Sequence, residues 1–204
     1  ENVGKLTKKL DELGIADDTV VVFTSDNGGL STSEGHNTGN LPLRGGKGWL
    51  YEGGVRVSTI IRWPGVAKPG SVCDEPITST DYYPTFLEIA GLPAKPNQHA
   101  DGVSITAALK GGKLDRKAIY WHYPHYGNQG GRPGSSIRMG DYKLIEFFED
   151  NSVELYNLAE DIGEHNDLAA KMPEKAAELR GMIHAWRKEV DAKTMKINPK
   201  YKGK

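Results

Sequence analysis

Only one cysteine, Cys73, occurs in the chain, so no intrachain disulfide can form and the redox compartment is left open. Long hydrophobic runs are missing too. Val20 to Phe23 and Ile60 to Ile61 fall far below the roughly 20 apolar residues needed to cross a bilayer, which excludes a transmembrane helix. Neither sign of charge is in excess: 26 Lys and Arg stand against 27 Asp and Glu, for a formal net charge of −1. No bulk electrostatic pull toward nucleic acid or a membrane surface follows, and any partner must be read from local sites. The basic start, apolar run and small-residue cleavage site of a secretory signal are absent. Glu1 to Leu13 is instead a charged amphipathic segment, and the sequence reads as beginning mid-domain. No internal repeat is evident. What remains is 204 residues at 37% hydrophobic content, enough to bury one good core or two small ones.

Val3, Leu6, Leu10 and Leu13 recur at helical spacing among charged residues, and Gly14 follows where a C-terminal cap belongs, so an amphipathic helix is expected here. Thr19 to Thr24 is short, β-branched and apolar on both faces, which suits a central strand buried between helix layers. Helix followed by buried strand implies an α/β sheet. Leu30 to Gly54 has little periodicity and abundant glycine, the pattern of a long ordered loop, and such loops are usually functional or disordered. Val57 to Trp63 reads as another strand, stopped by Pro64-Gly65. A helix then starts near Thr80 or Asp81 with Pro84 in its first turn and ends at Gly91. Val103 to Leu109 is read as a short helix.

Beyond Lys113 the character changes. Ala118 to Tyr123, Ser136 to Met139, Tyr142 to Phe148 and Val153 to Leu158 read as strands of a small antiparallel sheet, with Gly140-Asp141 as a hairpin turn. A final helix starts near Pro173, with Ala176, Leu179, Ile183, Trp186 and Val190 as one buried stripe. The Lys-rich end from Lys193 is expected to fray. The expected division is 1–112 as the α/β portion and 113–204 as a small antiparallel β subdomain with its terminal helix.

Chemistry points to the residues just after the first strand. Ser25-Asp26-Asn27-Gly28-Gly29 sits at a strand's carboxyl end, where open α/β sheets place ligands. Asp26 and Asn27 offer a carboxylate and an amide carbonyl, hard oxygen donors suited to Ca²⁺ or, alternatively, Mg²⁺. The same letters also make an ordinary turn. Downstream, Leu43 to Arg56 sets Lys47 among glycines that permit close backbone approach to a ligand. Its ammonium can neutralise a sulfate or phosphate oxygen and share a proton with a leaving oxygen. Glu52 and Arg56 read as a structural pair.

Taken in order, Thr24-Ser25-Asp26-Asn27-Gly28-Gly29, Pro42-Leu43-Arg44-Gly45-Gly46-Lys47-Gly48, Tyr51-Glu52-Gly53-Gly54-Val55-Arg56, Arg62-Trp63-Pro64-Gly65, Thr80-Asp81-Tyr82-Tyr83-Pro84-Thr85 and Arg138-Met139-Gly140-Asp141-Tyr142-Lys143-Leu144 resemble the C-terminal signature blocks of the type I sulfatases. The resemblance implies the C-terminal portion of an alkaline phosphatase-like α/β sheet domain plus a small antiparallel-sheet subdomain with a C-terminal helix. It implies sulfate-ester hydrolysis through a formylglycine nucleophile, with Ca²⁺ and basic side chains holding the sulfate oxygens. By motif position, Asp26 and Asn27 resemble two calcium ligands and Lys47 the lysine that binds sulfate and the leaving oxygen. A sulfated sugar, such as N-acetylgalactosamine 6-sulfate or a polysaccharide, is the substrate implied, and a periplasmic, secreted or lysosomal compartment the location.

The chain departs from the family in lacking the Cys-x-Pro-Ser-Arg nucleophile motif, a paired aspartate block and further Lys and His residues. Cys73, in Ser71-Val72-Cys73-Asp74-Glu75-Pro76, has neither the proline nor the arginine at the required offset and is assigned no catalytic role. Formylglycine is therefore expected on a missing N-terminal part, the isolated chain is expected to be inactive, and association with that part or with a second copy is expected because early strands are absent. His36, between the calcium pair and Lys47, is a candidate substrate contact. So are His122 and His125 in Trp121-His122-Tyr123-Pro124-His125-Tyr126, while Trp121 and Tyr123 alternate as packing residues of a half-buried strand. A phosphatase or phosphodiesterase of the same superfamily is the enzymatic alternative, disfavoured because Asn27 stands where a zinc-binding residue would be expected. A noncatalytic anion-binding module is the alternative from another class.

Overall fold

The computed structural model describes residues 1–32, 38–196 and 198–200. Along the chain run α1 (Asn2–Glu12), β1 (Val21–Phe23), α2 (Glu52–Val55), β2 (Ile60–Arg62), α3 (Tyr82–Ile89) and α4 (Thr106–Leu109). They are followed by β3 (Ile119–Tyr123), β4 (Gly134–Met139), β5 (Tyr142–Phe147), β6 (Val153–Asn157) and α5 (Pro173–Glu189). Two compact units result: Glu1–Asp26 with Ser58–Arg116, and Asn27–Val57 with Lys117–Lys204. Neither is a continuous stretch of sequence at its core, because residues 27–57 belong with the C-terminal strands.

In the first unit α1 ends as its sequence predicts: Gly14 takes φ +67, and the amide of Ile15 bonds back to the Leu10 carbonyl at 3.1 Å, a left-handed terminus that glycine adopts at little cost. β1 and β2 pair antiparallel, with Val22 opposite Ile61 and Phe23 opposite Ile60. The expectation of a strand buried between helix layers is corrected here. Phe23 is 49% exposed and Ile60 64%, because among the described residues this sheet is two strands wide and these directly opposed side chains have no covering layer. Before α3, a short turn of 3₁₀ helix at Ser79–Asp81 carries a capping box, with Asp81 accepting from the amide of Thr78 at 2.7 Å. The fully buried Asp81 carboxylate is also held by the amide of Val103 at 3.0 Å and by Arg116 at 2.6 Å. Thr85 completes the tie, donating to the Asp81 carbonyl and accepting from the amide of Ile105.

The second unit is a four-stranded antiparallel meander in the order β3-β4-β5-β6. Strand side chains alternate between faces, and each face here has its own core. On one, Ile137, Leu144 and Leu155 meet Ala176, Leu179 and Ile183 of α5. Trp186 extends that stripe, stacking on Tyr120 with ring centroids 4.8 Å apart. On the other, Ile145, Phe147, Tyr156 and Leu158 meet Leu50 and Tyr51, with Trp49 and Trp121 against them. The segment following Lys47 is thus mounted on one face of the sheet and the terminal helix on the other.

Candidate functional site

Asp26, the last residue of the first unit's N-terminal segment, is exposed. Asn27, next in the chain, opens the second unit and is half-buried. Within the second unit, the segment from Asn27 to Gly29 is zipped to the lysine loop. The amide of Gly28 donates to the Gly54 carbonyl at 2.9 Å, and the amide of Lys47 donates to the Gly29 carbonyl at 3.1 Å. Asn40 locks the same two strands of chain: its Nδ2 donates to the carbonyls of Gly29 (2.8 Å) and Gly45 (3.1 Å), and its Oδ1 accepts from the amide of Gly29 (3.0 Å). This close approach requires glycine. A Cβ on Gly28 would lie 1.7 Å from the Gly53 carbonyl oxygen, and one on Gly54 would lie 2.0 Å from that of Trp49.

Lys47 projects from this frame with an exposed side chain, and its ammonium is bonded to nothing else among the described residues. The frame itself is anchored by Leu50 and Tyr51, both buried, and by a buried ionic cluster just beyond them. Lys143 of β5 places Nζ 3.0 Å from Oε1 of Glu52 and 3.0 Å from Oε1 of Glu164, and all three side chains are 2% exposed or less. Oε2 of Glu52 lies 3.7 Å from guanidinium nitrogens of both Arg56 and Arg138, so the expected Glu52–Arg56 pair is present but is longer than that carboxylate's 3.0 Å contact with Lys143. Oε2 of Glu164 accepts from the amide of Glu52 at 2.7 Å. Burial pushes the Glu164 carboxyl up from its ordinary range, against the opposing pull of Lys143.

Arg44 closes the other end of the loop. Its NH1 donates to the Tyr156 hydroxyl (2.9 Å) and to the main-chain carbonyl of Glu164 (2.8 Å), and its guanidinium lies 3.9 Å from the ring centre of Tyr51. Tyr51 and Tyr156 both donate to Oε2 of Glu154, at 2.7 and 2.8 Å. Burial first, then these bonds to a carboxylate, raise both phenols, so they stay protonated donors.

Of the three candidate histidines, His36 lies outside the described residues. His122 sits on the α5 face of the sheet, its Nδ1 2.8 Å from Ser135 Oγ and its Nε2 2.6 Å from the Lys193 carbonyl, with its ring against Phe148 and Trp186. Alternation along β3 puts Trp121 on the opposite face, in the core beneath the lysine loop. His125 is exposed and meets Tyr123 edge-on at 5.5 Å. The chain following it returns to the lysine loop, where the Gln129 carbonyl accepts from Trp49 Nε1 at 2.9 Å and from Thr32 Oγ1 at 2.7 Å. Cys73 is an exposed free thiol.

Sequence reasoning missed Lys143, Glu164 and Gln129. Lys143 did carry a signal, because it falls in phase with Ile145 and Phe147 on a core face where an ammonium must be paired. Glu164 and Gln129 had none. As for metal, adjacent Asp and Asn oxygens fit a hard cation, but Ca²⁺ takes six to eight oxygens. No cluster of three or more His, Cys, Asp or Glu side chains able to hold a metal is found among the described residues.

Residues 46–192 match the family described as N-sulphoglucosamine sulphohydrolase, C-terminal. The chain belongs to the type I, formylglycine-dependent sulfatases of the alkaline phosphatase-like superfamily. It is 41% identical over 189 residues to a sulfatase of Formosa agariphila, matching 85% of this chain and 34% of that protein. It is 32% identical over 197 residues to an N-acetylglucosamine-6-O-sulfatase of Bacteroides thetaiotaomicron, across 93% of this chain and 34% of that one. A structure solved in complex with its substrate D-glucosamine-2-N,6-O-disulfate superposes with a TM-score of 0.77 at 31% identity, covering 93% of this chain and 38% of that one. The chain thus spans about a third of the length of the curated relatives it matches. No helix among the described residues is long and apolar enough to cross a membrane.

Proposed function

We propose that the chain is the C-terminal part of a sulfatase that hydrolyses sulfate esters of sulfated sugars, and that it contributes Asp26, Asn27 and Lys47 to the active site. The observation that carries this reading is the pairing of the Asn27–Gly29 segment with the lysine loop through Gly28, Lys47 and Asn40. It fixes the backbone of Lys47 two residues from that of Asn27 along one hydrogen-bonded frame. Asp26 and Asn27 would hold Ca²⁺, with Mg²⁺ as the alternative, and the ion when bound would offset charge on the sulfate oxygens. Lys47 would bind a sulfate oxygen and hold a proton at Nζ for the departing alkoxide. The nucleophile would be a formylglycine in the rest of the parent protein, since no residue of this chain lies in the required motif.

His36 and His125 are proposed as contacts to the sugar. His122, on the α5 face opposite the lysine loop and bonded to Ser135 and the Lys193 carbonyl, belongs to this proposal only for a sugar that extends beyond the lysine-loop face. Relatives named for N-acetylglucosamine 6-sulfate and for a disulfated glucosamine support a sulfated hexosamine as substrate. A periplasmic, secreted or lysosomal compartment and a division of this chain into 1–112 and 113–204 belong to the same proposal. The test is sulfate release by the full-length parent from glucosamine 6-sulfate and from 4-nitrophenyl sulfate, with 4-nitrophenyl phosphate as the competitor. Turnover of the sulfate esters at least a hundredfold above the phosphate ester is expected, and the reverse preference would assign a phosphatase.

A further inference from the structure

Glu164 reaches the two ends of the lysine loop with three different oxygens. Its main-chain carbonyl accepts from Arg44, three residues before Lys47. Its Oε2 accepts from the amide of Glu52, five residues after. Its Oε1 pairs with Lys143, which in turn pairs with Glu52. The residue is fully buried and holds φ +54, a conformation that a side chain with a Cβ rarely adopts and keeps only when its surroundings demand it. The turn that presents it is itself tied down, with the Asp161 carboxylate accepting from the amides of His165 (2.8 Å) and Asn166 (2.7 Å).

We propose that Glu164 is a positioning residue for Lys47, a single clamp that fixes the span of the loop from Arg44 to Glu52 so that the exposed lysine is held at one place over the sheet. The proposal rests on the reading of Lys47 as the group that meets the sulfate. Glu164 touches no reacting atom. Its effect passes through the loop backbone, whose internal bond from the Gly53 amide to the Arg44 carbonyl, 2.8 Å long, closes only if the two ends stay in register. Misplacing a catalytic group by about 1 Å can cost a hundredfold in rate.

Glu164→Gln retains an oxygen for the Glu52 amide but loses the charge that Lys143 needs. Glu146→Gln is the control: Glu146 is also buried and binds several cations, yet its carboxylate faces α5, and among the described residues its ion pairs are to Arg180, His184 and Arg187 and none is to the loop. Two readouts are required. Amide hydrogen exchange on the full chain should speed up at least tenfold at Glu52 and Gly53 in Glu164→Gln, with the β4–β5 ladder changed less than threefold. Equal acceleration of loop and ladder, or none in either, would overturn the clamp. In the full-length parent, kcat for 4-nitrophenyl sulfate should fall at least tenfold in Glu164→Gln with KM within threefold, while Glu146→Gln keeps its kcat. Equal loss in both variants would reduce Glu164 to a structural residue and overturn the proposal. If the unmodified parent shows no turnover, the sulfatase reading fails, and the exchange measurement still decides the clamp.

Discussion

Lys143 Nζ lies 3.0 Å from Glu52 Oε1, joining the second residue of β5 to the base of the loop that carries Lys47. Both side chains are removed from water, so the pair is costly to break whatever its net worth. Lys143→Met would leave Glu52 with only the guanidinium groups of Arg56 and Arg138, 3.7 Å away, and the buried Glu164 carboxylate with no ion-pair partner among the described residues. A destabilisation of about 3 to 5 kcal/mol is expected from loss of one partner of a buried pair. Urea denaturation of the chain checks this, and a loss below about 1 kcal/mol would mean the cluster is wet.

Close backbone approach gives a second prediction. Gly28→Ala puts a methyl 1.7 Å from a carbonyl oxygen and must part the Gly28–Gly54 bond, at a cost of roughly 1 to 3 kcal/mol or more from overpacking. Gly181→Ala in the exposed middle of α5 meets nothing within 4 Å. It should stabilise by about 0.5 to 1 kcal/mol, the difference between glycine and alanine in a helix. Thermal unfolding of the two variants should move in opposite directions.

The pH dependence of stability has an identifiable contributor on the α5 face. Burial would raise the Glu146 carboxyl, but hydrogen bonds from His184 and Arg180 and the charge of Arg187 outweigh it and hold the group below its ordinary value. A carboxylate depressed in the folded state binds fewer protons there than when unfolded. Its stabilisation is therefore fully present above the unfolded value of about 4.3 and is lost as pH falls toward the folded one. Glu146→Gln should flatten the decline in stability between about pH 5 and pH 3, followed by denaturant midpoints at each pH. An unchanged slope would remove Glu146 from the account.

How much of this was legible beforehand differs by region. The C-terminal meander and α5 were readable because each carries its own periodicity. Ile137, Leu144 and Leu155 face Leu179 and Ile183 as alternation and helical spacing require, and Gly140 turns the hairpin at φ +58. β1 misled, because Val20 to Phe23 is as apolar as a central strand while Phe23 remains half exposed in a two-stranded pair. β4 begins at Gly134, two residues before its apolar pattern, since pairing with Tyr123 and Phe147 on either side recruits a glycine that has no propensity of its own. Of the proposed site, Asp26, Asn27 and Lys47 can be singled out from the sequence by donor chemistry and glycine context alone. The support beneath the lysine loop cannot, because Glu164 stands 117 positions from Lys47 in the chain, and no local pattern encodes a contact made by the fold alone.

The isolated chain supplies a lysine and two oxygen donors but no nucleophile motif. It is expected to release no 4-nitrophenol from 4-nitrophenyl sulfate, with or without added Ca²⁺, in an absorbance assay. Turnover that disappears in Lys47→Ala would show that a nucleophile does reside in these residues.

The most direct test of the account is kcat/KM for glucosamine 6-sulfate in the full-length parent and in its Lys47→Ala variant. Lys47 is exposed and its side chain holds nothing else among the described residues, so the variant should fold as the parent does. Removing one preorganised group that stabilises developing charge costs about a hundred- to a thousandfold, and a loss of that size is predicted. A variant that folds and keeps its kcat/KM within twofold would contradict the claim that this loop meets the sulfate.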